Sequence, residues 1–177
     1  MRLRPLEAKD AEGMLSWMHD DSINSIFAAD FKSFTKDKVL SFIENSDKNK
    51  DDLHLACVND DDEYLGTVSL KHIDREAKNA EYAVSFCKRA HGTGASSFAT
   101  KEILRIAFYE LGLKRVYLNV ITENKRANAF YKKIGFVYEG TFKKHILING
   151  ELKDLNWYRM LKEEFDELYG SCVEEIR

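Results

Sequence analysis

The stretch from Asn79 to Phe136 constrains the fold more than any other part of the chain. A strand-like run, AEYAVSF at 80–86, enters a basic turn containing Gly92 and Gly94, and an amphipathic helix follows directly. A second strand-like run, RVYLNVI at 115–121, leads into another helical segment that closes on Gly135-Phe136. This alternation of strand and helix asks for a layered α/β arrangement, because each amphipathic helix must cover a sheet face. Glycines at 92 and 94 accept positive φ and let another group approach the backbone. The helix behind them opens with unpaired N–H groups and a partial positive charge, so the turn suits an anion such as a phosphate.

Charge is distributed unevenly around that turn. Between residues 79 and 145, twelve Lys and Arg face five acids, a local +7, whereas the whole chain is −3 and the remainder therefore near −10. Basic pairs recur at Lys88-Arg89, Lys114-Arg115, Lys125-Arg126, Lys132-Lys133 and Lys143-Lys144. A polyanionic ligand fits this pattern, with a scatter of solvated lysines as the alternative. Nucleic acid is not expected, since the basic residues come with an acidic remainder and no nucleic-acid module.

Taken together, the turn His91-Gly92-Thr93-Gly94-Ala95-Ser96, the pair Asn124 and Ala127, and the run Phe130-Tyr131-x-Lys133-x-Gly135-Phe136 resemble the GNAT superfamily of N-acetyltransferases. The resemblance extends from Leu3-Arg4-Pro5-Leu6 to about Met160. It implies the GNAT fold, a mixed and mostly antiparallel central sheet flanked by helices, and transfer of acetyl from acetyl-CoA to an amine. In that family the turn begins with Gln or Arg and ends with Gly or Ala. His91 and Ser96 depart from this pattern, and Lys88 occupies a place where proline is common.

The resemblance also implies roles. The loop residues His91, Gly92, Thr93, Gly94, Ala95, Ser96 and Ser97 would hold the diphosphate of CoA, with Asn124, Tyr131 and Lys133 further along the cofactor. The strands at 80–87 and 115–121 would splay apart around it, and amides around Val84, Ser85 and Phe86 would polarise the thioester carbonyl. Tyr131 would protonate the departing sulfur. Its other reading is the buried face of a short helix. Glu81 would bind or deprotonate the amine, with a cross-strand ion pair to Lys71 as its structural alternative. His72 is a second candidate base. Asn124 would contact the pantetheine arm, cap the following helix, or both. Trp17, Phe27, Phe31, Phe34 and Trp157 are candidate walls of the acceptor pocket, although core packing is the first reading of each aromatic.

Acceptors suggested by the resemblance are a nucleotide-linked amino sugar, with a polyamine or a protein N-terminus as alternatives. A catalytically idle CoA-binding module is the rival from another class. The partner is thus a small-molecule amine, and a homodimer is left open. No metal is expected, because the histidines and cysteines lack ligand spacing, and Cys87 is read as a packing residue.

The rest of the chain is consistent with one domain over 1–177. With 177 residues, 44% of them hydrophobic, it can bury a sizeable core. Cysteines at 57, 87 and 172 show no CxxC spacing, which suits a reducing compartment. No apolar run approaches a signal sequence or a membrane span, so a cytoplasmic location is expected. Residues 2–6 read as a strand; Asp10 and Thr35 are candidate N-caps of two helices. Strands are expected at 53–58, 64–73 and 79–87 as an antiparallel meander. The central helix is placed at about 97–111, capped by Ser96 or Ser97 and ended by Gly112. Asn149-Gly150 marks a tight hairpin turn, and the tail from Lys162 reads as a terminal helix.

Overall fold

The structure, a computed structural model, describes residues 1–173; the side chains of residues 171–173, Cys172 among them, and residues 174–177 lie outside what is described. In chain order the elements are β1 (Arg2–Pro5), α1 (Ala11–Met18), α2 (Asp21–Asn24), α3 (Lys36–Ser46), β2 (Leu53–Val58), β3 (Tyr64–Asp74) and β4 (Asn79–Phe86). There follow α4 (Ala95–Arg105), β5 (Arg115–Ile121), α5 (Lys125–Ile134), β6 (Val137–Ile148), β7 (Glu151–Leu161) and α6 (Lys162–Val173). The strands form one seven-stranded sheet in the order β1-β2-β3-β4-β5-β7-β6. All pairs are antiparallel except β4 with β5. The expected mixed, mostly antiparallel sheet with flanking helices is therefore present.

Burial explains why β3 sits centrally. Every residue from Tyr64 to Leu70 is buried, as required of a strand covered on both faces. On one face Val68, Leu70 and Tyr82 join Ile103, Leu104 and Phe108 of the α4 region and Phe165 of α6. On the other, Ala56, Val58 and Tyr64 meet Met14 and Trp17 of α1 and Val39 and Ile43 of α3. Each fully buried Leu, Val or Phe contributes about 1.5–3 kcal/mol. Close approach matters at Gly66, where an added Cβ would lie 2.4 Å from the Phe86 ring and 2.5 Å from the Ser85 carbonyl oxygen. The contact holds β3 tight against β4.

Local signals set the element ends. The Thr35 hydroxyl accepts the Lys38 amide at 3.4 Å and caps α3. Asn149 (φ 50°) and Gly150 (φ 81°) make the turn between β6 and β7, as Asn-Gly does in primed turns. Asp10 precedes α1 but does not cap it; its carboxylate accepts the Glu7 amide at 2.8 Å and pairs with Arg4 at 2.8 Å. The central helix also starts earlier than the serines suggest. Gly94, at φ 85°, is the N-cap, and Ser96 and Ser97 lie inside the first turn. A π-helical turn at Ile106–Glu110 extends α4 before Gly112, at φ 67°. Among the described residues no helix is long and apolar enough to cross a membrane.

Candidate active site

Strands β4 and β5 pair only over Asn79–Glu81 and Arg115–Tyr117. Beyond that point β4 stays in register with β3 as far as Phe86, and β5 stays with β7 as far as Ile121. The sheet thus consists of two halves that part like a V. The Cys87 amide donates to the Leu65 carbonyl at 2.9 Å. Since amides alternate sides along a strand, the Ser85 amide turns to β3, whereas those of Val84 and Phe86 turn into the opening. A cleft of about 280 Å³ lies there, lined by Val84, Ser85, Phe86, His91, Ser96 and Tyr131 among others.

The turn between β4 and α4 sits at the mouth. Its threonine organises it, with the Thr93 hydroxyl donating to the Ala90 carbonyl at 2.8 Å and accepting the Ala95 amide at 3.3 Å. Gly92 (φ 80°) and Gly94 (φ 85°) supply the left-handed steps. The amides of Gly92, Gly94, Ser96 and Ser97 have no acceptor among the described residues. Four free donors at the start of an eleven-residue helix form an anion cradle that fits the diphosphate of a CoA ester.

Arg126, in the first turn of α5, is a residue the sequence reading left unassigned. Its guanidinium lies 3.4 Å from His91 Nδ1 and borders the same cleft. The His91 ring is pushed below its ordinary range by burial first, then by the charges of Arg126 and Lys88, so at neutral pH it accepts from Arg126 and leaves the cation to face the cleft. Replacing Arg126 by alanine is expected to weaken acetyl-CoA binding about tenfold, the magnitude of one charge-assisted contact. Calorimetric titration at two salt concentrations checks this; the gap should narrow at high salt. Lys133, two turns further along α5, is exposed and does not border the cleft.

Tyr131 lies on the inner face of α5, 8% exposed, among the rings of Tyr82, Phe130, Phe136 and Tyr158. Burial pushes its phenol well above the usual tyrosine range. The hydroxyl has no hydrogen-bond partner among the described residues, and the side chain borders the cleft. The ends of α5 fix its position. Asn124 Oδ1 accepts the Ala127 amide at 3.1 Å, so Asn124 is a cap that also borders the cleft. Gly135 (φ 104°) closes the helix, with its amide and that of Phe136 returning to the carbonyls of Lys132 and Tyr131.

Asn128 was not singled out in the sequence. It is 8% exposed. Its Nδ2 donates to the carbonyls of Ile121 (3.1 Å) and Asn124 (2.8 Å), and its Oδ1 accepts from Asn156 Nδ2 (2.8 Å) and the Tyr158 hydroxyl (2.8 Å). One amide thereby ties α5 to β5 and β7, three residues before Tyr131. An asparagine in the middle of a helix, where its propensity is poor, was the available signal.

Glu81 and Lys71 are cross-strand partners in register, yet among the described residues no ion pair joins them. His72 takes the carboxylate instead, with Nδ1 3.1 Å from Glu81 Oε2, and Asn119 Nδ2 donates to Oε1 at 3.2 Å. His72 reaches across because β3 bulges there, with His72 at φ 51°. The two separately named candidate bases therefore form one dyad beside the point where the strands part.

A second chamber, about 380 Å³, meets the cleft at Phe27, Val84 and Ser85. Trp17, Phe27, Phe31 and Phe34 line it. Trp157 does not; it stacks on Tyr117 at 5.8 Å and packs against Phe142 at 5.0 Å. Cys87 is 3% exposed, its thiol pushed up by burial and donating to the Gly13 carbonyl at 3.3 Å, which fits a packing residue. A larger groove of about 600 Å³ near Asp10, Asp62 and Arg89 shares no lining residue with the cleft or the chamber. Its carboxylates are largely engaged, Asp10 with Arg4 and Asp62 with Arg4 and Lys9.

Comparison with known proteins gives a match to the acetyltransferase (GNAT) domain over residues 1–137. The chain is 31% identical over 106 residues to the putative ribosomal N-acetyltransferase YdaF of Bacillus subtilis, covering 60% of this chain and 58% of that protein, somewhat over half its length. It is 29% identical over 159 residues to the spermidine N(1)-acetyltransferase of Escherichia coli, covering 87% and 82%. Among solved structures it superposes on a spermidine N-acetyltransferase from Vibrio cholerae in complex with CoA and spermine. The TM-score there is 0.85 at 22% identity, over 93% of this chain and 96% of that one.

Proposed function

Since the chain belongs to the GNAT acetyltransferase family, we propose that it moves acetyl from acetyl-CoA to a primary amine by direct attack within a ternary complex. The observation that carries this reading is the parting of β4 from β5, with two inward amides on one wall and Tyr131 on the other. Acetyl-CoA supplies an activated carbonyl. Glu81, paired with His72, takes a proton from the acceptor's ammonium through a short chain of waters, because Glu81 lies three residues along β4 from Val84, where that strand begins to border the cleft. The freed amine forms the new N–C bond as the C–S bond breaks. Val84 and Phe86 amides hold the negative charge that develops on the carbonyl oxygen. Tyr131 gives its proton to the departing sulfur and recovers one, through water, from the acceptor nitrogen, which sheds its second proton as the amide forms; the low-polarity surroundings that keep the phenol neutral also make the thiolate a stronger base.

Glu81→Gln tests the base. Turnover at neutral pH should fall about a hundredfold, the lower end of general acid–base effects. The acidic limb of the kcat/KM profile should disappear. An unaltered profile removes Glu81 from this role.

Calorimetry with acetyl-CoA followed by thiol release over a panel of amines tests the activity itself. Binding without turnover of any amine favours an idle CoA-binding module. Of the acceptors suggested by resemblance, a polyamine is supported by the name of the Escherichia coli relative.

A further inference from the structure

The chamber beside the cleft has a lining that discriminates among amines. Its walls are the rings of Trp17, Phe27, Phe31, Phe34 and Phe42, and no carboxylate borders it. Two of its three hydroxyls are engaged, Thr67 with the Tyr64 hydroxyl at 2.7 Å and Ser69 with His54 Nδ1 at 2.8 Å; that of Ser85, where the chamber meets the cleft, has no partner among the described residues. His54 is neutral there, its ring pushed down mainly by burial and in part by Lys71, against the opposing pull of Asp52. Lys71 alone brings a fixed charge to the lining. Although it faces Glu81 in the sheet register, no carboxylate lies within ion-pair distance of it among the described residues.

Each acceptor class meets this lining differently. The second and third ammonium groups of a polyamine would enter an apolar chamber with nothing to pair them and a lysine to repel them, which is unfavourable on both counts. A sugar ring would bring several hydroxyls to a wall of rings where the Ser85 hydroxyl is the one uncommitted side-chain hydroxyl among the described residues. An aromatic or aliphatic body buries well there. Lys71 stands three residues along β3 from Val68, the partner of Val84, about 10 Å at strand spacing.

From this lining, and resting on the acetyl-transfer reading above, we infer that the acceptor is a primary monoamine with an apolar body of about aromatic size and an anionic group at its far end, which Lys71 pairs. Lys71 is then the specificity-determining residue of the acceptor site.

The test uses the full chain and acetyl-CoA with four acceptors: 4-(2-aminoethyl)benzoate, its uncharged carboxamide, spermidine and a nucleotide-linked amino sugar. The benzoate should have the highest kcat/KM and exceed its carboxamide about tenfold, the worth of one charge-assisted contact. In Lys71→Gln that ratio should fall to about one, and in Lys71→Glu it should invert, with melting temperature confirming that both variants fold. A preference for spermidine or the amino sugar, or a ratio unmoved by either substitution, overturns the acceptor assignment while leaving acetyl transfer intact. No thiol release from any amine, with no binding of acetyl-CoA, overturns acetyl transfer itself.

Discussion

Replacing Tyr131 by phenylalanine is expected to lower kcat by about 10²- to 10⁴-fold, the usual span for loss of a positioned acid, with acetyl-CoA binding nearly unchanged. Two features of the structure make this a clean substitution. The phenol has no hydrogen-bond partner among the described residues, so no buried group is orphaned when it goes. The ring keeps its contacts with Tyr82, Phe136 and Tyr158, so packing and helix position are retained. Steady-state thiol release and calorimetric titration, run side by side, separate chemistry from binding. Equal turnover in the two proteins would falsify the acid role, and matched losses in binding and turnover would identify Tyr131 as a wall of the cleft only.

Asn128→Ala should have the largest effect on stability, about 2–4 kcal/mol, since removing one partner leaves several polar groups unmatched at roughly 1–3 kcal/mol each before water relieves them. The Tyr158 hydroxyl and the Asn156 amide would lose their shared acceptor, and the Ile121 carbonyl a donor. Denaturant unfolding measures the loss. A drop in kcat accompanying it, with CoA affinity less affected, would show that the tie between α5, β5 and β7 also aims Tyr131. A change below about 0.5 kcal/mol, the range typical of surface substitutions, would mean that water replaces the amide without penalty.

How much of this was visible in the sequence depended on how far apart the interacting residues are. The strand, glycine turn and helix around Gly92 and Gly94, the Thr35 cap and the Asn149-Gly150 turn were legible because their causes are local: dihedral preference and a side chain bonding a few residues away. The register of Lys71 against Glu81 was legible too, from the short turn between β3 and β4. The partner of Glu81 was not, because a bulge at His72 breaks the alternation on which such a pairing rests. Asn128 escaped notice since its acceptor role is satisfied 28 and 30 residues away, on β7. Ser96 and Ser97 were good capping residues by type, yet a left-handed Gly94 with the Thr93 hydroxyl had already begun the helix. Trp157 was placed by residue type, and packing against Tyr117 and Phe142 turned it elsewhere.

The early end to pairing between β4 and β5 has a mechanical consequence. Three rungs join two plates of sheet, and beyond them the edges of both are left without a neighbour. A molecule lodged between the plates does more than occupy space: it becomes the missing rung, and the energy of its grip is shared with the seam that holds the protein's two sides together.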